Sequence, residues 1–271
     1  MKKSISHWAF PAGMRLRECM QQAKDAGFEG FEPTLGDNGE LNLSTTEADA
    51  RRVAKAAAEV GIEIASVATG LLWRHPLTSN DAAQVGQGKA IVRKAIELAA
   101  WLGTDAILVV PGTVTAEVPY DVAVGRAQEA LAELAPEAKA AKVVLGVENV
   151  WNKMLLSPLE MRDFIDALAS PWVRVYFDVG NVLVSGFPQH WIRILGERIC
   201  RIHVKGFQTS IGNITGFTTL LAGDVDWPEV VKALREIGYD SYVTAELSPY
   251  RSHPGQLIRH TADSLAAILA E

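Results

Sequence analysis

Eight short apolar runs, rich in β-branched and aromatic residues, recur along the 271-residue chain, and a segment of helical character follows each of them. Runs of this kind are typical of strands that are buried on both faces. The predicted strands are Ser4–Phe10, Phe28–Thr34, Ile62–Thr69, Asp105–Val110, Val143–Val147, Pro171–Asp178, Ile199–Val204 and Ser241–Ala245. Because strands and helices alternate, we expect a parallel sheet that is covered by helices.

The predicted helices carry recognisable start and stop signals. Ser44–Glu47 has the pattern of a capping box, and Ser157 followed by Pro158 is a typical helix start. Gly61 provides a helix stop. The long helix predicted over Tyr120–Lys142 contains Pro136, which either kinks it or divides it in two.

Eight strand–helix units in a chain of this length predict an α/β fold, a single-domain (β/α)8 barrel that spans residues 1–271. The main alternative is an open, doubly wound sheet. That fold usually carries a glycine-rich phosphate-binding turn after its first strand, and Gly13 alone does not make one. No low-complexity tract or linker marks a second domain.

Composition and charge indicate which kinds of molecule the protein can bind and where in the cell it acts. The net charge is −6, which disfavours a nucleic-acid surface but leaves small anionic substrates open. No apolar run approaches the ~20 residues that span a bilayer, and the start of the chain lacks the apolar core of a signal peptide. The two cysteines, Cys19 and Cys200, are far apart and are expected to be free thiols. We therefore expect a cytoplasmic protein with neither a nucleic-acid nor a membrane partner.

Four chemically reactive residues follow one another at the ends of the last four predicted strands. They are Glu148, Asp178, His203 and Glu246. The carboxyl ends of barrel strands form the active face, and strands that are consecutive in sequence are neighbours in the barrel. Three carboxylates at such close quarters would repel one another unless a cation lies between them. The four residues therefore predict a site for one divalent ion, with Mn²⁺, Mg²⁺ or Co²⁺ favoured and Zn²⁺ also suitable.

The segments around these residues resemble the metal-binding pattern of the xylose isomerase-like TIM-barrel superfamily. The segments are Gly146–Asn149, Phe177–Asn181, Ile202–Lys205 and Ala245–Leu247, and Gly223–Trp227 is also similar. Within the superfamily the chain is most similar to the sugar phosphate isomerase/epimerase branch, which includes ketose 3-epimerases and L-ribulose-5-phosphate 3-epimerase-like proteins. The resemblance extends over nearly the whole chain.

One position departs from part of that branch. Many of its ketose 3-epimerases have a histidine three residues after the metal-binding aspartate, whereas this chain has Asn181 there. The ribulose- and xylulose-phosphate epimerase-like members resemble this chain at that position, which favours them without deciding whether the substrate is phosphorylated.

The resemblance implies a function: a divalent-metal-dependent sugar or sugar-phosphate isomerase or epimerase. Mn²⁺ is the favoured ion, and it would stabilise an enediolate next to the ketose carbonyl. Glu148 and Glu246 would act as catalytic acid and base while also binding the metal, and Asp178 and His203 would be structural ligands. The resemblance also implies a homodimer or homotetramer.

A second group of residues is predicted to contact the sugar. Lys205 lies two residues after His203 and so points the same way along the strand, where it is expected to touch either substrate or a carboxylate near the metal site. Glu32, at the end of the second strand, is expected either to bind substrate or to orient a ligand. The other candidates are Arg74, His75, Asn181 and Trp151.

Three other functions remain open. A metal-dependent lyase similar to inosose dehydratase would use the same metal but expel water. A barrel that binds a sugar without turning it over would not need two opposed glutamates. An endonuclease IV-like phosphodiesterase is disfavoured, because it needs more clustered histidines and a basic DNA-binding face, and this chain has six scattered histidines.

Overall fold

The computed structural model describes residues 1–270. Its main sheet has eight strands, which we number β1 (Lys2–Ser6), β2 (Gly30–Glu32), β3 (Glu63–Ile64), β4 (Ala106–Val109), β5 (Val144–Glu148), β6 (Val173–Asp178), β7 (Ile199–Val204) and β8 (Tyr242–Ala245). Eight helices surround it: α1 (Leu16–Asp25), α2 (Glu47–Val60), α3 (Ala82–Leu102), α4 (Tyr120–Ala141), α5 (Pro158–Ala167), α6 (Pro188–Leu195), α7 (Trp227–Glu236) and α8 (Pro254–Ala270).

The strands form a closed barrel. Their order is β3-β2-β1-β8-β7-β6-β5-β4, and every neighbouring pair is parallel. Val67 closes the gap between β3 and β4: its N–H donates to the Ala106 carbonyl at 3.1 Å, and its carbonyl accepts from the Leu108 N–H at 2.9 Å. The predicted (β/α)8 barrel is confirmed.

Closure also explains why the predicted third strand is interrupted. Ile62–Thr69 was expected to be continuous, but it contains β3 and a separate strand, Ala68–Thr69. The chain pairs with β2 as far as Ala65, then turns to meet β4 at Val67. Ala68–Thr69 then pairs with Thr34–Leu35.

Other predictions differ at element ends, and the second strand covers only Gly30–Glu32 of the expected Phe28–Thr34. The first strand ends at Ser6, and His7–Ala9 form a 3₁₀ turn rather than extending the strand to Phe10. The capping box of α2 uses Thr46 and Asp49, two residues later than predicted. Ser157 caps α5 as expected, and α4 is one helix through Pro136.

Strand β7 shows how the barrel interior is layered. Alternation points Arg201, His203 and Lys205 inward, from the amino-terminal side of the barrel to its mouth. Arg201 is buried and donates to the Ala65 carbonyl at 2.8 Å and to the Asp105 carboxylate. His203 and Lys205 belong to the active face described below.

The long segment after β7 is partly ordered by its own pairing. Gly206–Phe207 and Phe217–Thr218 form a small antiparallel ladder beside the barrel mouth. A Cβ at Gly206 would lie 2.2 Å from the Thr219 carbonyl oxygen, so only glycine fits there. None of the helices within residues 1–270 combines the length and apolarity that crossing a membrane requires.

Candidate active site

Sheet register brings the four predicted ligands together at the carboxyl ends of β5–β8. Asp178 ends β6 directly opposite His203 of β7, and Glu148 ends β5 opposite Tyr176. Glu246 follows β8, and its N–H donates to the Val204 carbonyl at 3.0 Å. One ligand atom from each of the four side chains lies within 4.8 Å of the others.

The cluster is buried and strongly acidic. Asp178 and His203 are fully buried, Glu148 is 5% exposed, and Glu246 reaches furthest toward the mouth. The Lys205 ammonium forms an ion pair with Glu246 and lies 3.0 Å from Asp178 Oδ2. Lys205 therefore contacts two carboxylates of the cluster.

These contacts shift the pKa values of the acids in opposite directions. Burial raises the pKa of Glu148 to about 7. Burial also disfavours the charged form of Glu246, but the ammonium of Lys205 and the ring of His203 outweigh it and lower the pKa of Glu246 to about 2. The pKa of Asp178 is raised by burial, which the Lys205 charge only partly offsets. A divalent cation among these groups would favour the ionised form of each carboxyl.

Two asparagines hold the strand ends of β5 and β6 together. Asn149 accepts from the Asp178 N–H and donates to the Asp178 carbonyl, both at 2.8 Å. Asn181 donates through its side chain to the Asn149 carbonyl at 2.9 Å, and its N–H donates to Asp178 Oδ1 at 2.8 Å. Asn181 lines the cavity above the cluster, but its amide is already engaged with the backbone.

Glu32 lies beneath the cluster rather than in the cavity. It is fully buried, and its Oε1 lies 2.9 Å from His203 Nε2. Ser66 and Tyr176 donate to Oε2. Burial disfavours the Glu32 anion, but His203 and these hydroxyls outweigh that effect and lower the pKa of Glu32.

A cavity of about 320 Å³ opens above the cluster. Glu148, Glu246, Lys205 and Asn181 line its polar side, and most of its remaining wall is apolar: Trp8, Trp73, Leu108, Val110, Val150, Trp151, Ile214 and Phe217. Trp151 is fixed there by donating to the Asn181 carbonyl at 2.8 Å and by packing on Phe217.

A second cavity, of about 480 Å³, adjoins the first above β7 and β8. The two share Trp8, Lys205, Ile214, Phe217 and Glu246. Thr218, Thr219 and Ser248 line the second cavity, and their hydroxyls make no hydrogen bond to another residue within 1–270. The two cavities meet at Lys205 and Glu246, so together they can hold a longer molecule than either one alone.

The structure does not bring Arg74 or His75 to either cavity. Arg74 is exposed and forms an ion pair with the equally exposed Asp37. The backbone of His75 packs against Gly88 of α3, where a Cβ would lie 2.4 Å from the His75 carbonyl oxygen. The predicted substrate contacts of these two residues find no support in the geometry.

The four residues at the strand ends fit a divalent metal ion. Three carboxylates and one imidazole nitrogen form a donor set of the right size and charge, buried enough to exclude most water. Asp178 Oδ2 is buried and accepts no hydrogen bond within the described residues, although the Lys205 ammonium lies near it. The Lys205 ammonium offsets part of the cost of burying this oxygen, and a metal ion could use the lone pairs that accept no hydrogen bond. The cofactor expected from the sequence is therefore compatible with the site.

Comparison with known proteins assigns the family. Residues 20–268 match the family model described as "Xylose isomerase-like TIM barrel". The chain therefore belongs to the xylose isomerase-like TIM-barrel family, as its strand-end motifs predicted.

Curated relatives of the chain are named as epimerases. SgbU of Escherichia coli, named provisionally as an L-ribulose-5-phosphate 3-epimerase, is 31% identical over 223 residues, which are 80% of this chain and 78% of SgbU. The L-ribulose-5-phosphate 3-epimerase UlaE of Salmonella paratyphi A is 26% identical over 267 residues, which are 97% of this chain and 93% of UlaE.

Solved structures share the fold at lower identity. An L-ribulose 3-epimerase superposes with a TM-score of 0.83 at 21% identity, over 99% of this chain and 94% of that one. A D-psicose 3-epimerase has a TM-score of 0.81 at 18% identity, over the full length of both chains. These superpositions confirm the barrel.

The residues that support the cluster from behind are not marked by any motif in the sequence. Tyr176 precedes Asp178 by two residues, so strand alternation alone places both on the inner face. Asn149 directly follows Glu148 and its role was not anticipated. Ser66 lies within the predicted third strand, but the strand is interrupted there, and the pattern does not indicate its contact with Glu32.

Proposed function

We propose that this protein is a divalent-metal-dependent ketose 3-epimerase. One observation carries the proposal: Glu148 and Glu246 line the same cavity from strands β5 and β8, with the Asp178–His203 pair between them. Two carboxylates that approach a bound sugar from separate strands suit proton removal on one face and proton return on the other. That is the requirement for inverting a stereocentre next to a carbonyl.

The metal ligands in this proposal are Glu148, Asp178, His203 and Glu246, with Mn²⁺ as the favoured ion. When bound, the ion supplies Lewis-acid polarisation of neighbouring ketose oxygens and so raises the acidity of the adjacent C–H group. One glutamate removes the C3 proton, and the other delivers a proton to the opposite face. The Lys205 ammonium, which already contacts Asp178 and Glu246, stabilises negative charge that develops beside them.

The apolar wall and the second cavity suit the ends of a ketose chain. Trp8, Trp73 and Trp151 provide flat surfaces for the C–H face of a sugar, and they exclude water from the reacting carbon. The second cavity lies by β7 and β8, where barrels of this kind often bind phosphate. With relatives named L-ribulose-5-phosphate 3-epimerases, ketopentose 5-phosphates are the first substrates to test.

The reaction type is tested by incubating the Mn²⁺-loaded enzyme in D₂O with a panel of ketoses and their phosphates. The proposal predicts deuterium at C3 together with the C3 epimer. Deuterium at C1 or C2 would instead indicate an aldose–ketose isomerase, and loss of water would indicate a lyase. No exchange with any member of the panel would favour a binding protein without turnover. Each of these three results contradicts the proposal.

The roles of the two glutamates are tested by Glu148→Gln and Glu246→Gln. Each amide keeps the shape but cannot shuttle a proton, so kcat for epimerisation should fall by about 10²–10⁴-fold. Glu97→Gln is the matched control, because Glu97 is exposed on α3, where it pairs with Lys94, and its substitution should leave kcat unchanged. Full activity in Glu246→Gln would remove Glu246 from the mechanism.

A further inference from the structure

Glu32 is held so that it faces His203 and nothing in the cavity. It ends β2, across the barrel from β7, and its side chain is fully buried. One oxygen meets His203 Nε2 at 2.9 Å, and the other accepts from Ser66 Oγ at 2.6 Å and from the Tyr176 hydroxyl. Because both oxygens are engaged and neither cavity is lined by Glu32, this carboxylate does not reach a substrate.

The two nitrogens of the His203 ring face different surroundings. Nδ1 points into the cluster, 3.1 Å from Glu148 Oε1 and 3.7 Å from Glu246 Oε2. Nε2 points to Glu32. The Glu32 carboxylate already accepts two hydrogen bonds at Oε2 and has no hydrogen of its own to donate from Oε1. The hydrogen between Oε1 and Nε2 therefore belongs to Nε2. Nδ1 is then the nitrogen whose lone pair can bind a cation.

We infer that Glu32 is a positioning residue, which fixes the ring of His203 with Nε2–H toward the barrel interior and Nδ1 toward the metal. Ser66 and Tyr176 in turn fix Glu32. The inference rests on the proposed metal site and adds a second layer to it. Carboxylates that accept from the remote nitrogen of a metal-binding histidine orient the ring and raise its basicity, and their removal typically weakens metal binding by about 10- to 100-fold.

The network accounts for two features of the barrel core: the buried carboxylate of Glu32 and the glycine at position 146. A fully buried carboxylate is expensive without strong partners, and here Glu32 has three donors from three different segments of the chain. Tyr176 needs space inside the barrel, and Gly146 on β5 provides it: a Cβ there would lie 3.1 Å from the Tyr176 side chain. The core at this level is built around orienting one imidazole.

The test is Mn²⁺ affinity, measured by equilibrium dialysis on the purified full-length chain and its Glu32→Gln variant. The glutamine amide can donate as well as accept, so it no longer fixes the hydrogen on Nε2. We expect the dissociation constant to rise by about 10- to 100-fold. Thr244→Val is the matched control: Thr244 is fully buried directly opposite His203 on β8, and its hydroxyl makes no hydrogen bond within residues 1–270. The Mn²⁺ affinity of this control should not change.

A spectroscopic readout separates positioning from simple loss of stability. Long-range ¹H–¹⁵N spectra of the Zn²⁺-loaded wild type should show the His203 hydrogen on Nε2 and the metal on Nδ1. In Glu32→Gln this pattern should weaken or become a mixture. Should Glu32→Gln not fold, Tyr176→Phe decides the matter, since it keeps the ring against His203 and removes one donor to Glu32. We expect Tyr176→Phe to bind Mn²⁺ roughly 3- to 10-fold more weakly than the wild type, which is a smaller loss than that expected for Glu32→Gln.

The outcomes distinguish the inference from the proposed function. If the wild type binds Mn²⁺ and the Glu32→Gln variant binds it with the same affinity, the positioning role is overturned and the metal site stands. In the event that Glu32→Gln does not fold, unchanged affinity in Tyr176→Phe would do the same. Wild-type protein that binds no Mn²⁺ would overturn both.

Discussion

Asn149 joins the strand ends that carry Glu148 and Asp178 through their backbones. Its amide bonds both the N–H and the carbonyl of Asp178, at 2.8 Å each, and its own carbonyl accepts from Asn181. Few side chains can donate and accept at once with this geometry. Asn149 thereby fixes the direction in which the Asp178 carboxylate leaves its strand.

Asn149→Ala tests whether Asn149 fixes the direction of the Asp178 carboxylate. It leaves two buried backbone groups of Asp178 without partners, which should lower the free energy of unfolding by about 2–4 kcal/mol and also weaken Mn²⁺ binding. Chemical denaturation and equilibrium dialysis measure the two effects.

The matched control is Asn152→Ala. Asn152 is also buried and also bonds the backbone, since it donates to the Gly112 carbonyl at 2.7 Å and accepts from the Met154 N–H at 3.2 Å, and neither bond involves a residue of the acidic cluster. It should destabilise the fold to a similar extent and leave Mn²⁺ affinity unchanged. Equal effects of the two variants on Mn²⁺ affinity would contradict the specific role of Asn149.

At the scale of elements, the segment Lys205–Asp226 forms the wall between the two cavities. Its ladder brings Phe207 and Phe217 together with Trp151, and Asp224 bonds the N–H and hydroxyl of Thr209 to hold the outer part. The return of this segment over Gly206 leaves no room for a side chain.

Gly206→Ala should therefore displace this segment. The added Cβ overlaps the Thr219 carbonyl oxygen, a backbone atom, at a cost of about 1–3 kcal/mol. Because Lys205 is the preceding residue, we expect KM for the substrate to rise as well. Gly125→Ala in α4 is the control: a Cβ there meets nothing within 4 Å, and alanine should raise stability by about 0.5–1 kcal/mol. A Gly206→Ala enzyme with normal stability and normal KM would contradict the assignment of this segment to the site.

Sequence reasoning worked best where local pattern alone decides the structure. Strands β5–β8 and the ligands at their ends follow from apolar runs and from the rule that such ends share a face. The third strand was not predictable in detail, because the chain changes its pairing from β2 at Ala65 to β4 at Val67, and this change occurs only where the barrel closes. The partnership of Glu32 with His203 joins residues 171 positions apart, and no spacing in the sequence reports it.

At the scale of the whole molecule, the two sides of the barrel carry different tasks. The mouth holds the acidic cluster and the cavities, whereas Arg201 connects β7 to Ala65 and Asp105 across the amino-terminal side. In barrels of this architecture the first side serves chemistry and the second serves stability.

Arg201→Met tests that division. It leaves the buried Ala65 carbonyl without its donor, while the Asp105 side chain is exposed and remains hydrated. We expect a loss of about 2–3 kcal/mol, or a Tm lower by roughly 5–10 °C, measured by calorimetry. Mn²⁺ affinity and kcat should stay at wild-type values below that Tm. A large loss of Mn²⁺ affinity without loss of stability would show that the two sides are not independent.

The central claim is that four side chains at the ends of β5–β8 hold one divalent ion. Anomalous diffraction from crystals grown with Mn²⁺ tests it most directly. The account predicts one strong peak within about 2.0–2.5 Å of Glu148, Asp178, His203 Nδ1 and Glu246. It also predicts that the peak disappears in Asp178→Ala. The claim would be contradicted if crystals grown at saturating Mn²⁺ showed no peak among these residues. It would also be contradicted if the ion were bound through His203 Nε2.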